Sequence, residues 1–155
     1  MRRRHFIKVV AGSAITWLTS PLAAVAQQPA NIPRIGFVYP GPAGAAAVRV
    51  DALVKGLREA GFDTPTQVEV VVRATGGDAA LLEPLVHEVF AQHVRVFVAA
   101  SPAVLQVAHK AERAVPIPAV DLESDPVASG YAASLVHPGG NITGVFMDFP
   151  DFTAK

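Results

Sequence analysis

The sequence predicts an α/β domain built on a doubly wound parallel sheet. Three observations point there. Short runs rich in Val and Ile alternate with segments whose apolar residues recur every three or four positions. The run Val94–Ala99 is almost wholly apolar, as befits a strand covered on both faces. Residues that start and stop helices stand at the junctions: Gly61, Asp78 and Ser101-Pro102. Strands alternating with helices of this length imply βαβ units, whose right-handed crossovers place helices on both faces.

Each element has its own justification. Arg34–Tyr39 is a short apolar run with β-branched and aromatic residues, read as the first strand. Ala45–Ala60 reads as a helix, because Val50, Leu53, Val54 and Leu57 recur at i, i+3, i+4 and i+7. Gly61 follows where a C-capping glycine belongs. Gln67–Arg73, with Val68, Val70, Val71 and Val72, is the second strand. Asp78 can cap the next helix, whose stripe is Leu82, Leu85, Val86, Val89 and Phe90. Val94–Ala99 is the third strand. Ser101-Pro102 opens a third helix, with Val104, Val107, Ala108 and Ala111 on one face. Ile117–Asp121 is the fourth strand. Asp125-Pro126 is expected to open a short helix to Ser129. Ile142–Met147 is the fifth strand, after the turn Pro138-Gly139-Gly140.

The N-terminus carries an address. Residues 2–8 read Arg-Arg-Arg-His-Phe-Ile-Lys and are followed by an uncharged run to Ala26. A basic segment, an apolar segment and the small residues Ala24-Val25-Ala26 make an export signal. Arg3–Lys8 fits the twin-arginine pattern. Residues 1–26 are thus expected to be a cleaved signal peptide, with residues 27–33 as the mature tail and a periplasmic, soluble product. A retained membrane anchor is the alternative. The stretch between Lys8 and Gln27 is near the lower length limit for a span, and Gly12, Ser13, Thr16, Thr19, Ser20 and Pro21 interrupt it.

Composition excludes several classes. Arg2, Arg3, Arg4 and Lys8 are four of the 13 basic residues. The other nine face 13 acids, so the mature chain has a net charge of −4. Nucleic-acid binding needs clustered Lys and Arg, and no such cluster follows residue 8. The chain has no cysteine, which removes disulfides, thiol catalysis, cysteine metal sites and a lipidated cysteine at the signal junction.

In a doubly wound sheet, ligands sit beyond the carboxyl ends of the strands, where strand order reverses. That rule selects Tyr39 and Gly41 after the first strand, Ala100 and Ser101 after the third, and Asp121, Glu123 and Asp125 after the fourth. Ser101 offers a hydroxyl and the free N–H groups of a helix N-terminus, suited to a carboxylate. It also suits a plain helix cap, and the two roles are compatible. Tyr39 could stack on a ligand or serve as a rim aromatic. Asp121 and Glu123 could receive an ammonium group or simply shape a turn. Gly41-Pro-Ala-Gly44 lacks the dinucleotide-binding spacing, and there is no P-loop or Gly-x-Ser-x-Gly elbow. His87, His93 and His109 have no partner at metal-ligand spacing. No nucleophile, base and orienter assemble. The chain is therefore expected to be neither an enzyme nor a holder of a cofactor or metal.

Asp125-Pro126-Val127, Gly130, Ser134-Leu135 and Pro138-Gly139-Gly140-Asn141-Ile142-Thr143-Gly144 together carry a resemblance. They are similar to ABC transporter substrate-binding proteins of the periplasmic type I class, in the branch related to tryptophan and tyrosine binders. Ile35-Gly36-Phe37, Leu57-Arg58-Glu59-Ala60-Gly61 and Ile117-Pro118 fit as well. The resemblance implies capture of a small solute and its delivery to an inner-membrane ABC permease. It also implies a two-lobed, hinge-closing fold roughly twice as long. On that basis residues 34–155 are expected to be an N-terminal, flavodoxin-like lobe, truncated near the hinge and missing its second lobe. Ser101-Pro102 stands where the family often has Thr-Pro. Asp121 and Glu123 intrude on a stretch that many members keep uncharged. With Ser101 they could clamp the two ends of an amino acid. The alternatives are an exported flavodoxin-like cofactor or enzyme domain, and a gene fragment that binds nothing.

Overall fold

A computed structural model describes residues 32–146 except residue 122. The segment expected to be an export signal, Met147 and the segment to Lys155 lie outside the described residues. Five strands and three helices alternate: β1 (Arg34–Tyr39), α1 (Ala43–Glu59), β2 (Glu69–Ala74), α2 (Leu82–Ala91), β3 (Val96–Val98), α3 (Pro102–Ala111), β4 (Ile117–Asp121) and β5 (Ile142–Phe146). Every strand pair is parallel. Strand β1 sits between β2 and β3, and β4 pairs with β5.

The two ladders meet at a seam between β3 and β4. Phe97 N–H donates to the Pro116 carbonyl at 3.0 Å, and Ala99 N–H donates to the Pro118 carbonyl at 3.0 Å. Val120 N–H returns to the Ala99 carbonyl at 2.9 Å, and Ala99 and Ala119 form a parallel bridge. Pro118 has no N–H to give, so the ladder is broken at that rung. The spatial order is therefore β2-β1-β3-β4-β5, the doubly wound order whose reversal falls between β1 and β3.

Side-chain alternation sorts the sheet into two faces. Val38, Val71, Phe97, Ala99, Ile117, Ala119 and Ile142 meet Val86 and Val89 of α2 and Val104, Leu105 and Ala108 of α3 in one buried core. Gly36 lets α2 approach: a Cβ there would lie 2.5 Å from Val89 Cγ1 and 3.0 Å from Phe97 Cδ2. Helix α1 covers the other face over β1 and β2, where Phe37 and Ala46 are each 2% exposed. Farther along that face, Val120 and Val145 remain 47% and 56% exposed. Strand β3 is accordingly buried on one face and half-buried on the other, not covered on both. Strand β5 crosses β4 closely at Gly144 (φ +156°), where a Cβ would run into the Ala119 carbonyl.

Local chemistry sets the ends. Gly61 (φ +88°) closes α1, with Phe62 N–H donating to the Leu57 carbonyl at 2.9 Å. Strand β2 starts at Glu69, two residues later than expected, because Gln67 and Val68 give their N–H groups to the Asp63 carbonyl. Asp78 accepts from Ala80 N–H and caps a single 3₁₀ turn that leads into α2. The expected helix at 125–129 is one turn only. Asp125 Oδ1 accepts from Val127 and Ala128 N–H at 2.8 and 3.3 Å, and Gly130 (φ +73°) then ends the turn.

On the far side of α3, His109 meets Tyr131 edge-on, with ring centroids 5.2 Å apart. Burial, and secondarily the charge of Arg113, lowers the His109 pKa below 6.5. Burial, and secondarily the charge of Asp121, raises that of Tyr131. His109 Nδ1 is buried without a partner among the described residues.

Two outcomes follow from this packing. Gly36→Ala should cost about 1–3 kcal/mol by overpacking. Urea denaturation would show it, and an unchanged midpoint would mean that α2 is not held where described. The depressed His109 stabilises the fold in its neutral form, so its contribution is present above pH 6.5 and fades as pH falls through the lowered value. Melting temperature should drop on acidification below pH 6.5. His109→Gln should flatten that drop, and equal slopes in the two proteins would refute the linkage.

Candidate functional site

The carboxyl ends of β1, β3 and β4 lie side by side, and the parallel register sets what stands level with what. Phe37 pairs with Val98, and Ala99 bridges Ala119. Tyr39 ends β1, Ser101 follows β3 by three residues, and Asp121 ends β4. Tyr39, Gly41, Ala100 and Ser101 flank the switch point, all partly exposed.

Ser101 is extended (φ −164°, ψ 154°) and caps α3, with Oγ accepting from Val104 N–H at 3.4 Å. Pro102 follows at the first helical position. Because proline brings no N–H, the first free donor on this end is the Ala103 amide. Ser101 Oγ and that amide form a small donor set at the positive end of the helix. Of the two expected roles of Ser101, the cap is the one observed.

Tyr39 is more engaged than its sequence position suggests. The Arg49 guanidinium from α1 stacks over the ring, 4.4 Å from its centroid. Gly41 abuts the ring edge, and a Cβ there would lie 2.7 Å from Tyr39 Cε1. Arg49 also donates to the Ala45 carbonyl at 3.1 Å, which steadies it. One face of the ring is thus taken, and a ligand would meet the other face or the hydroxyl.

Sequence reasoning missed Thr75, at the end of β2. It is only 5% exposed. Its hydroxyl donates to the Pro40 carbonyl at 2.6 Å and accepts from Gly77 N–H at 3.1 Å. Its N–H donates to the Tyr39 carbonyl at 3.0 Å, and Gly76 N–H donates to the Gly41 carbonyl at 3.1 Å. Thr75 therefore ties the loop after β2 to the loop after β1. A Thr before two glycines after a valine run was the available signal.

The acidic candidates separate. Asp121 is fully buried. Its Oδ1 accepts from Glu123 and Ser124 N–H at 2.9 and 3.1 Å, while Oδ2 has no partner among the described residues. It shapes the loop from inside and does not open onto the cleft. Glu123 and Asp125 are exposed. Asp125 spends one oxygen on its own turn. Tyr39, Gly41, Ala100 and Ser101 are thus partly exposed at the strand ends, Asp121 is enclosed, and Asp125 lies exposed on the loop after β4. Among the described residues no three His, Cys, Asp or Glu side chains form a metal-binding group, and no helix is long and apolar enough to cross a membrane.

Thr75→Val keeps the shape and removes the hydroxyl. It should cost about 1 kcal/mol, because the part-buried hydrogen bonds to the Pro40 carbonyl and from Gly77 N–H are lost. Amide exchange at residues 39–41 should speed up in this variant, and unchanged exchange there would show that Thr75 does not hold the loop.

No protein-family model matches the chain, and no curated protein matches it. Solved structures do. One is the ABC domain in complex with L-Trp from Streptococcus pneumonia, with a TM-score of 0.63 and 21% identity over 74% of this chain. A second is CD0873 in its ligand-free, open form, a substrate-binding protein with adhesive properties from Clostridium difficile, with a TM-score of 0.63 and 24% identity over 73% of this chain. A third is a conserved domain protein from Vibrio cholerae, with a TM-score of 0.63, 20% identity and the same 73% coverage. The match spans 38% of the length of each of these chains. The chain therefore has the parallel α/β fold found in one part of each of these chains.

Proposed function

We propose that the chain is the N-terminal lobe of an exported solute-binding protein that serves an ABC uptake permease. The solute it captures is small and carries a carboxylate, as an amino acid does. The observation that carries this reading is the donor set at the switch point. The α3 N-terminus, with Ser101 Oγ and the Ala103 amide, opens beside Tyr39 and Gly41, where doubly wound folds receive ligands. Fold neighbours support it, since one is a substrate-binding protein and another was solved with L-Trp. The Arg3–Lys8 signal supports export to the periplasm and cleavage after Ala26.

The carboxylate is assigned to Ser101 and the α3 N-terminus. The side chain of the solute is assigned to the free side of Tyr39, with Arg49 behind the ring. An ammonium group would meet Glu123 on the loop above Asp121, because Asp121 itself is enclosed. A single lobe offers one wall, and a second wall would add enclosure and affinity.

Calorimetric titration of the exported protein with a panel of L-amino acids, L-tryptophan and L-tyrosine included, tests the reading. At least one should bind saturably. Ser101→Ala should weaken it roughly tenfold, the scale of a charge-assisted hydrogen bond to a carboxylate. Binding that survives Ser101→Ala unchanged would move the carboxylate elsewhere, and a panel with no binder would count against an amino-acid solute.

A further inference from the structure

The opposite end of the sheet holds a second constellation. At the amino ends of β1 and β3, a cavity of about 230 Å³ is lined by Ile32, Pro33, Arg34, Gln92, His93 and Arg95. A neighbouring cavity of about 450 Å³ shares His93 and Arg95 and extends past Phe90 and Val94 to Glu112 and Pro116. Two arginines and a histidine thus converge on the smaller cavity, and no acid lines it.

The charges around it are unevenly used. Arg34 gives Nε to Glu69 at 2.7 Å and Nη1 to the Gln92 carbonyl at 3.3 Å, which leaves Nη2 free of any bond among the described residues. Arg95 forms no ion pair among the described residues. Its N–H donates to the Arg34 carbonyl at 2.7 Å, which holds Arg95, just before β3, against the start of β1. Glu112, on the rim of the larger cavity, already accepts from Arg113 and Ala114 N–H through Oε1.

His93 adds an independent signal. It is the only non-glycine residue with positive φ (+56°) among the described residues. It stands just after α2, where glycine is the usual choice, and left-handed backbone is costly for a residue with a Cβ. That conformation places an imidazole at the boundary of the two cavities, a strained placement of the kind that accompanies ligand sites.

We propose that Arg34, His93 and Arg95 form a binding site for a phosphate-type oxyanion, at the end of the sheet opposite the solute cleft. Two guanidinium groups, one at the start of β1 and one just before β3, supply forked donors, and the imidazole supplies a third direction. The smaller cavity takes the phosphate group. The larger one, with Phe90, Val94 and Val115, takes the organic part of a phosphate monoester. This site does not depend on the reading of the cleft.

The test is a titration of the ¹⁵N-labelled protein with inorganic phosphate and, separately, glycerol 3-phosphate. Sodium chloride at matched ionic strength is the control. Saturable shifts at the His93 imidazole and the amides of residues 92–95 are expected, with millimolar affinity. Arg95→Ala should weaken binding at least fivefold. Arg49→Ala, at the cleft, should leave it unchanged. His93→Gly is the decisive variant: it should raise the melting temperature by relieving the left-handed strain, yet weaken phosphate binding several-fold. Equal affinity for the two ligands means that the phosphate alone is read, and tighter binding of the ester assigns its alcohol part to the larger cavity. The proposal fails if chloride reproduces the shifts, if they do not saturate, or if His93→Gly and Arg95→Ala bind phosphate as the parent does.

Discussion

The seam between β3 and β4 is the constraint on which the rest of the structure depends. It joins a three-stranded ladder to a two-stranded one by three hydrogen bonds, around a proline that cannot supply a fourth. If the seam slipped by one residue, Ile117 and Ala119 would turn away from α3 and Pro118 would turn toward it. It holds because Phe97, Ala99, Ile117 and Ala119 bury their side chains in one core with Val104, Leu105 and Ala108. Apolar burial, not backbone pairing, therefore sets this register. The same register brings the carboxyl ends of β3 and β4 side by side.

That division of labour explains what could be read from the sequence. The apolar stripes named α2 and α3 correctly, and β1 and β4 fell on their expected residues, because those segments face the core. Gly61, Asp78 and Ser101-Pro102 marked their helix boundaries because each acts locally, through its own backbone or the next turn. The misses lie where distant residues decide. The late start of β2 depends on a carbonyl at Asp63 that captures two N–H groups. The helix expected at 125–129 collapses to a turn, since Gly130 ends it before a second turn forms. The half-buried second face of β3 reflects how far α1 reaches, which no property of residues 94–99 encodes.

The candidate site shows the same limit. Ser101 was legible, because a Ser-Pro pair after an apolar run carries both cap and helix start. Asp121 was legible as a residue of interest but not as a buried one. Its alternation with Ile117 and Ala119 contains the clue, since three residues at i, i+2 and i+4 share a face. Thr75 and Arg49 could not be found by inspecting loops one at a time. Thr75 matters through carbonyls 35 residues earlier, and Arg49 through a ring ten residues earlier on another element. Both act on the loop after β1, so that loop is shaped by its neighbours more than by its own Pro-Gly-Pro sequence.

The order of strands in space has a temporal side. Strand β1 lies at the centre of the three-stranded ladder, yet it is the first strand to leave the ribosome. Its pairing with β2 joins residues 35 positions apart, and its pairing with β3 joins Ile35 to Val96. At roughly 5–20 residues per second, the apolar edge of β1 waits several seconds for its last partner. During that interval Ile35, Phe37 and Val38 have been made but lack their full set of partners. The sheet cannot be assembled piecewise from its first strand outward. Strand β1 therefore keeps an unfilled edge until the third strand has been made.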